Sequence, residues 1–185
     1  MIAEFEGYIL TGNDGESFKH IVYNGFMRAK KRIWFTSAKV TDFMIPNPNT
    51  KEAMQFSQRL YQLARRGIKI KFILAPQEKE KKFYQKLKDV ENIEFAFCYN
   101  MHMKVVLVDS TWLYFGSANL TGAGVGSRTR EGRNNFEVGT ITIDQRAIEP
   151  VELLLQDIWL GNECKNCYQK QRGYCEGIEK MFFIG

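Results

Sequence analysis

The stretch MHMKVVLVDS (101–110) constrains the fold more than any other, because it runs apolar almost without a break from Met103 to Val108, interrupted only by Lys104. A strand of that kind has no face to offer water, so it belongs in the middle of a sheet covered on both sides. Covering both faces of a sheet takes helices that alternate with strands along the chain, and the remaining sequence supplies them. Apolar residues at Phe18, Ile21, Val22, Phe26 and Ala29 fall at helical spacing from Ser17 onward, with Lys30, Lys31 and Arg32 where the helix dipole favours cations. Ala53, Phe56, Leu60, Leu63 and Ala64 predict a second helix over residues 50–66, closed by Gly67. A short charged helix is expected over about 78–88 and a last amphipathic one over 145–160, where Ile148, Val151, Leu154, Leu155 and Ile158 share a side.

Between these helices lie candidate strands at residues 5–10, 33–37, 68–75, 93–100, 112–117 and 134–144, while residues 38–50, with two prolines and two asparagines, are expected to form a loop. The resulting expectation is an α/β fold: a mixed central sheet flanked by helices on both faces. At 185 residues and 44% hydrophobic content the chain is long enough for one substantial core. The catalytic unit is assigned to residues 1–160 and a cysteine-containing extension to 161–185. The N-terminus lacks the basic start and apolar run of a secretory signal, and no stretch reaches the ~18 apolar residues that span a bilayer. A cytoplasmic location without stable membrane insertion is therefore expected. The net charge of +5 and pI near 9.0 favour a polyanionic partner, nucleic acid first.

The chemistry concentrates at His102, Lys104, Asp109, Gly116, Ser117 and Asn119. Positions two apart on a strand face the same way, so His102 and Lys104 project together, an imidazole beside an ammonium, as a phosphate site requires. The Gly116-Ser117-Ala118-Asn119 turn then adds a hydroxyl, a carboxamide and backbone N–H groups. Asp109 lies five residues past Lys104, on the opposite strand face, and reads as an organiser of a turn or a subunit contact rather than a reacting group. Taken singly, a strand histidine is commonly structural and a Gly-Ser-Ala-Asn turn commonly just caps a helix; the joint spacing carries the functional reading.

The spacing HxK, four residues, D, six residues, GSxN in HMKVVLVDSTWLYFGSANLT resembles the signature of the phospholipase D superfamily, at every fixed position, and a looser likeness extends from the helix near Ser17 to the one ending near Leu160. Members with two signatures fold them into one pseudo-symmetric site. This chain has one, since its other histidine, His20, has no HxK around it. Single-signature members, among them small bacterial endonucleases and Zucchini-type nucleases, homodimerise so that two copies share a cleft. The resemblance implies a phosphodiesterase without a catalytic cofactor: His102 of one chain attacks phosphorus, the matching histidine of the other protonates the leaving oxygen, Lys104 and Asn119 hold the non-bridging oxygens, and Ser117 adds a hydrogen bond. It also implies a glutamate on a later strand that holds the histidine's second nitrogen. Glu137 is the candidate, with Asn135 a weaker neighbour, against the alternative of a solvated strand glutamate.

Substrate class is less sharply written. The loop between the GSAN turn and Glu137 carries Arg128, Arg130 and Arg133 and is placed to grip a phosphate backbone, though arginines on a surface loop are ordinary. Lys79, Lys81, Lys82, Lys86 and Lys88 alternate with glutamates and read as a solvated helix face. The leading expectation is an endonuclease on DNA or RNA, single strands preferred. The alternatives are a lipid phosphodiesterase of phospholipase D or cardiolipin type, which would touch the membrane through Phe43, Met44 and Ile45, and a dimer that binds nucleic acid without cutting. Tyr99, beside the motif, is a candidate for stacking on bases.

Cys164, Cys167 and Cys175 crowd into twelve residues of a tail with few apolar side chains. They supply three soft ligands for a structural zinc ion or an iron–sulfur cluster, with Cys98 or His20 as a possible fourth; a disulfide and free thiols are the alternatives. The apolar Met181, Phe182, Phe183 and Ile184 are expected to dock back on the domain.

Overall fold

The computed structural model describes residues 4–12, 16–47, 49–50, 52–76, 78–128 and 134–181. Eight strands build one mixed sheet: β1 (Tyr8–Gly12), β2 (Arg32–Ser37), β5 (Lys69–Leu74), β6 (Ile93–Phe97), β7 (Val105–Val108), β8 (Trp112–Gly116), β9 (Glu137–Thr142) and β10 (Glu179–Met181), in the spatial order β1-β9-β8-β7-β2-β5-β6-β10. β2, β5 and β6 run parallel, and every other pairing is antiparallel. The helices are α1 (Glu16–Phe18), which continues as a π-helix (Lys19–Gly25) and a 3₁₀ turn (Phe26–Arg28), then α2 (Phe56–Arg65), α3 (Glu78–Leu87), α4 (Gln145–Leu160) and α5 (Tyr168–Gln171).

The period-two alternation of each central strand sorts its side chains between two cores. Ile33 and Phe35 of β2, Ile70 and Phe72 of β5, Phe95 of β6 and Val106 of β7 face one side, where Phe26, Phe56, Leu60 and Phe83 from the helices cover them. Trp34, Ile73, Ala96, Val105 and Leu107 face the other, under Ile148, Leu155 and Trp159 of α4. The MHMKVVLVDS run is central as expected: β7 lies between β2 and β8, and all four of its residues are buried. Only Val105–Val108 are in the ladder, and His102 and Lys104 occupy the extended segment that enters it.

Three local expectations need correction. The helix begun near Ser17 is mostly a π-helix, because the spacing 18, 22, 26 buries a stripe in either winding and cannot tell them apart. Gly25, within it, presses on Trp112: a side-chain carbon there would stand 2.6 Å from the indole ring. Residues 38–50 are not all loop, and α2 does not begin at residue 50. Residues Met44–Pro46 form β3, paired with Ala53–Gln55 as β4, and the helix begins at Phe56 behind a capping box of Gln55 and Gln58. Asp42 fixes that start by accepting from Ser57 N at 2.8 Å and Ser57 Oγ at 2.7 Å.

The same packing removes the proposed membrane tip. Phe43 is 6% exposed and stacks on Phe56 at 4.7 Å, and Ile45 is fully buried; of the three residues only Met44 is exposed. Nor is the lysine-rich helix wholly solvated, since Lys86 pairs with Asp42 at 2.6 Å. Of the expected apolar terminus, Met181 ends β10, and residues 182–184 lie outside the described residues. No helix among the described residues is long and apolar enough to cross a membrane.

Candidate active site

Strand polarity decides where the reactive side chains meet. β2 ends at Ser37 and β8 at Gly116, whereas β7, antiparallel to both, begins beside those ends and β9 begins at Glu137 on the same side. One end of the sheet therefore collects Ser37, the segment entering β7, the GSAN turn leaving β8 and the first residue of β9.

Lys104 is bound into this end by its backbone, whose carbonyl accepts from Gly116 N at 3.1 Å. Its side chain is 7% exposed, and its Nζ donates to the His102 carbonyl and stands 3.2 Å from His102 Nδ1. An ammonium has no lone pair, so Nδ1 is the acceptor, and the tautomer assigned to a neutral His102 carries its proton on Nε2. Burial pushes the Lys104 ammonium below the usual lysine range, an effect the Glu137 carboxylate partly offsets. His102 itself is exposed. A buried cation is thus held directly beneath an accessible imidazole.

The GSAN turn is shaped by close backbone approach. Gly116 faces Gly139 across the β8–β9 pair, and a side-chain carbon at Gly116 would lie 2.5 Å from the Val138 carbonyl oxygen and 2.6 Å from Gly139 Cα. Tyr114 fills the space over Gly139, and burial pushes its phenol up to about 12. Beyond Gly116, Ser117 Oγ donates to Glu137 Oε2 and accepts from Val138 N at 3.1 Å, and Asn135 Nδ2 donates to Glu137 Oε1 at 3.1 Å. Glu137 therefore does not hold His102 within one chain; among the described residues its hydrogen bonds go to Ser117 and Asn135. The reason is lateral distance: β8 lies between β9 and β7, and two strand spacings amount to roughly 10 Å.

Asn119 is oriented by a residue that the sequence did not single out. Ser37, fully buried at the end of β2, donates to the Lys39 carbonyl at 2.6 Å, accepts from Leu120 N at 3.1 Å and stands 3.2 Å from Asn119 Oδ1, so it sets the strand end from which Lys39 N donates to that Oδ1 at 3.2 Å. With the carboxamide oxygen occupied in this way, its N–H₂ is the part left to meet an anion. The only sequence signal for Ser37 is a small hydroxyl residue closing an otherwise apolar strand.

Asp109 stands at the far end of β7. Its carboxylate accepts from the backbone N–H groups of Lys30, Lys31 and Arg32 at 2.8, 2.8 and 2.9 Å, and with Ser110 it forms a two-residue turn in which both φ angles are positive. Arg128 is exposed at the base of its loop, where its backbone exchanges two bonds with the Asn134 side chain. Arg130 and Arg133 lie outside the described residues. Tyr99 is 49% exposed on the connection from β6 to the site.

The cysteines gather on the α4 side of the sheet. The three C-terminal thiols lie close enough to Cys98 to raise its pKa, adding to a larger effect of burial. His20 belongs to the π-helix, whose buried residues pack on the opposite face, so of the two candidates for a fourth ligand the fold brings up Cys98.

Residues 23–159 match the family model described as cardiolipin synthase, PLD-like domain. Over 144 residues the chain is 33% identical to cardiolipin synthase A of Pseudomonas fluorescens (strain SBW25), which covers 73% of this chain and 26% of that protein, so the chain spans about a quarter of its relative's length. The fold is similar to NucT from Helicobacter pylori (TM-score 0.62, 18% identity, 83% of this chain and 95% of that one) and to Nuc, a phospholipase D family member from Salmonella typhimurium (TM-score 0.60, 18% identity, 83% and 95%). It is also similar to a phosphatidylserine synthase from Haemophilus influenzae Rd KW20 (TM-score 0.58, 15% identity), covering 82% of this chain and 38% of that one.

Proposed function

The chain belongs to the cardiolipin synthase, PLD-like domain family within the phospholipase D superfamily, and from that premise we propose that it is a homodimeric phosphodiesterase that cuts single-stranded nucleic acid. The observation that carries the reading is a half-site: one exposed imidazole over one buried ammonium, with a hydroxyl and an anchored carboxamide on the neighbouring turn.

A phosphohistidine mechanism takes two imidazoles in opposite protonation states. Neutral His102 attacks phosphorus and the P–O bond to the leaving group breaks, while the imidazolium of the second chain gives its proton to the departing oxygen and then, as a base, activates the water that releases the phosphate. Lys104 and the Asn119 N–H₂ stabilise the charge on the non-bridging oxygens, and Ser117 adds a donor once Glu137 turns from it to the facing chain's His102. Nucleophile, proton carrier and anion site are all side chains, so no catalytic cofactor is required. Attack through Nε2 needs an acceptor on Nδ1 in place of Lys104. Glu137, half-buried at the rim of the site, takes that role from the facing chain. Exposed Phe136 (84%) and Val138 (55%) flank it and offer apolar surface to a second copy.

The fold shared with NucT and Nuc over 95% of each of those chains supports the nuclease-like reading. The basic charge supports a polyanion. The second reading, hydrolysis or transfer at a phospholipid head group, is favoured by the matching family's description and by the 33% identical relative. Burial of Phe43 and Ile45 counts against the particular membrane contact that reading would use.

The test is to incubate the full chain, without chelator and without added divalent cations, with labelled single-stranded DNA, RNA and cardiolipin vesicles. Cleavage of a nucleic acid, abolished in His102→Ala with binding retained, is the expected result. Turnover of the vesicles alone would replace this reading with the lipid one, and full activity in His102→Ala would overturn both.

A further inference from the structure

We propose that Cys98, Cys164, Cys167 and Cys175 bind one zinc ion as a four-thiolate structural site that staples the C-terminal segment to the strand end leading into His102. The proposal stands apart from the reading of the catalytic function and starts from a segment that lacks a core.

After α4 the chain forms a 3₁₀ turn (Asn162–Asn166), α5 (Tyr168–Gln171) and β10, yet none of the residues in the turn or in α5 is buried. Ordering such a stretch costs conformational entropy that its own apolar contacts do not repay, which is the condition under which small segments rely on a cross-link or a metal. Its three cysteines are only half-exposed while most of their neighbours are exposed, so the thiols are what the segment turns inward.

They turn toward Cys98. That residue directly follows β6 and, with Cys164 and Cys167, lines a cavity of about 380 Å³ floored by Met101, Met103, Leu154 and Ile158. Asn100 Nδ2 donates to Cys167 Sγ at 3.3 Å, the kind of bond that supports a thiolate ligand. Cys175 lies on the connection to β10, whose Glu179 pairs with Phe97, the residue before Cys98. The backbone also curls about one sulfur. Gly161 and Gly177, both with positive φ, approach so closely that a side-chain carbon on either would stand 4.0 Å from Cys164 Sγ. Lys170 reaches the Gly177 turn, its Nζ 3.9 Å from that carbon position, and supplies positive charge where four thiolates around Zn²⁺ leave a net dianion.

A Cys-x2-Cys turn with two further thiols from separate segments is the ligand set of a closed tetrahedral zinc centre. Among the described residues no three candidate ligands already converge on one point at coordination distance, so binding draws the thiols together, with loss of their protons, as expected where a metal orders its own site. The consequence reaches the active site. Met101 N bonds the Cys98 carbonyl at 3.0 Å, and His102 follows immediately, so the metal fixes the turn from which the imidazole projects. It also holds β10 along β6, which would otherwise be an open sheet edge.

The experiment is metal quantitation of the full chain, purified under reducing conditions without an oligohistidine tag, followed by replacement with Co²⁺. The expected result is about one zinc per chain and a cobalt spectrum with strong sulfur-to-metal charge transfer and tetrahedral d–d bands. Cys98→Ser, 66 residues from the next ligand, should lower zinc affinity at least about tenfold, as should Cys164→Ser. Where a variant fails to fold, zinc stoichiometry and the cobalt spectrum of the unaltered chain still decide. Four freely titrating thiols without metal, iron with labile sulfide, a disulfide by mass spectrometry, or full zinc retention in folded Cys98→Ser would each overturn the proposal.

Discussion

Asp109 belongs to the signature yet stands at the wrong end of its strand to react, five residues or roughly 16 Å from Lys104 along β7. Its three bonds to the N–H groups of Lys30, Lys31 and Arg32 tie the start of β2 to the β7–β8 turn. With each bond to a partly exposed carboxylate contributing about 1 kcal/mol net, Asp109→Ala loses about 3 kcal/mol. Placing alanine at φ 52 adds about 1 kcal/mol, because Asp tolerates the left-handed region better. The total of about 4 kcal/mol corresponds to roughly 8–16 °C in Tm for a chain of this size. Asp109→Asn keeps the turn and one acceptor oxygen and should lose about 1–2 kcal/mol. The assay pairs thermal unfolding with phosphodiester cleavage at 20 °C, where both variants remain folded and kcat should stay within about threefold of the unaltered chain. A hundredfold fall in kcat with unchanged Tm would refute the structural assignment.

Other substitutions separate site chemistry from stability in different directions. Lys104→Met should reduce kcat by about 10²–10³-fold while raising Tm, because it removes a cation whose burial is unfavourable. The Lys104 pKa is depressed in the fold, so its contribution favours the folded state above the ordinary lysine range and is lost as pH falls through the lowered value; stability of the unaltered chain should rise with pH across that window, and the rise should be missing in Lys104→Met. Gly116→Ala places a methyl group 2.5 Å from the Val138 carbonyl oxygen, backbone that cannot turn aside, and should cost about 2–3 kcal/mol in urea unfolding together with most activity. Ser37→Ala removes the hydroxyl that ties Lys39 and Leu120 together beside the Asn119 carboxamide and should lower kcat about 10–100-fold with a smaller change in KM, whereas a purely structural role would alter stability and leave kcat of the folded protein intact.

What was legible in the sequence follows from which interactions are local. Apolar periodicity located the central strand and the long helices, because burial on one face or two leaves a period that sequence preserves. It failed at the π-helix, where two windings bury the same residues, and at β3 and β4, where pairing between residues 44–46 and 53–55 depends on Phe43 stacking on Phe56. At the site, the strand spacing of His102 and Lys104 and the GSAN turn were readable. Ser37 was not, since its role rests on a hydrogen bond from Leu120 N across 83 positions. Glu137 was found as a residue, but its bonds to Ser117 and Asn135 were not, because strand order β9-β8-β7 is not written in chain order.

The central claim is that two chains contribute one His102 each to one reaction, and subunit mixing tests it most directly. Unaltered chain and an equal amount of His102→Ala chain are dissociated together, reassembled and assayed on single-stranded substrate. If each site needs both histidines, only dimers of two unaltered chains work and about one quarter of the activity per total chain remains. If each chain carries a complete site, about one half remains, and that result would contradict the account.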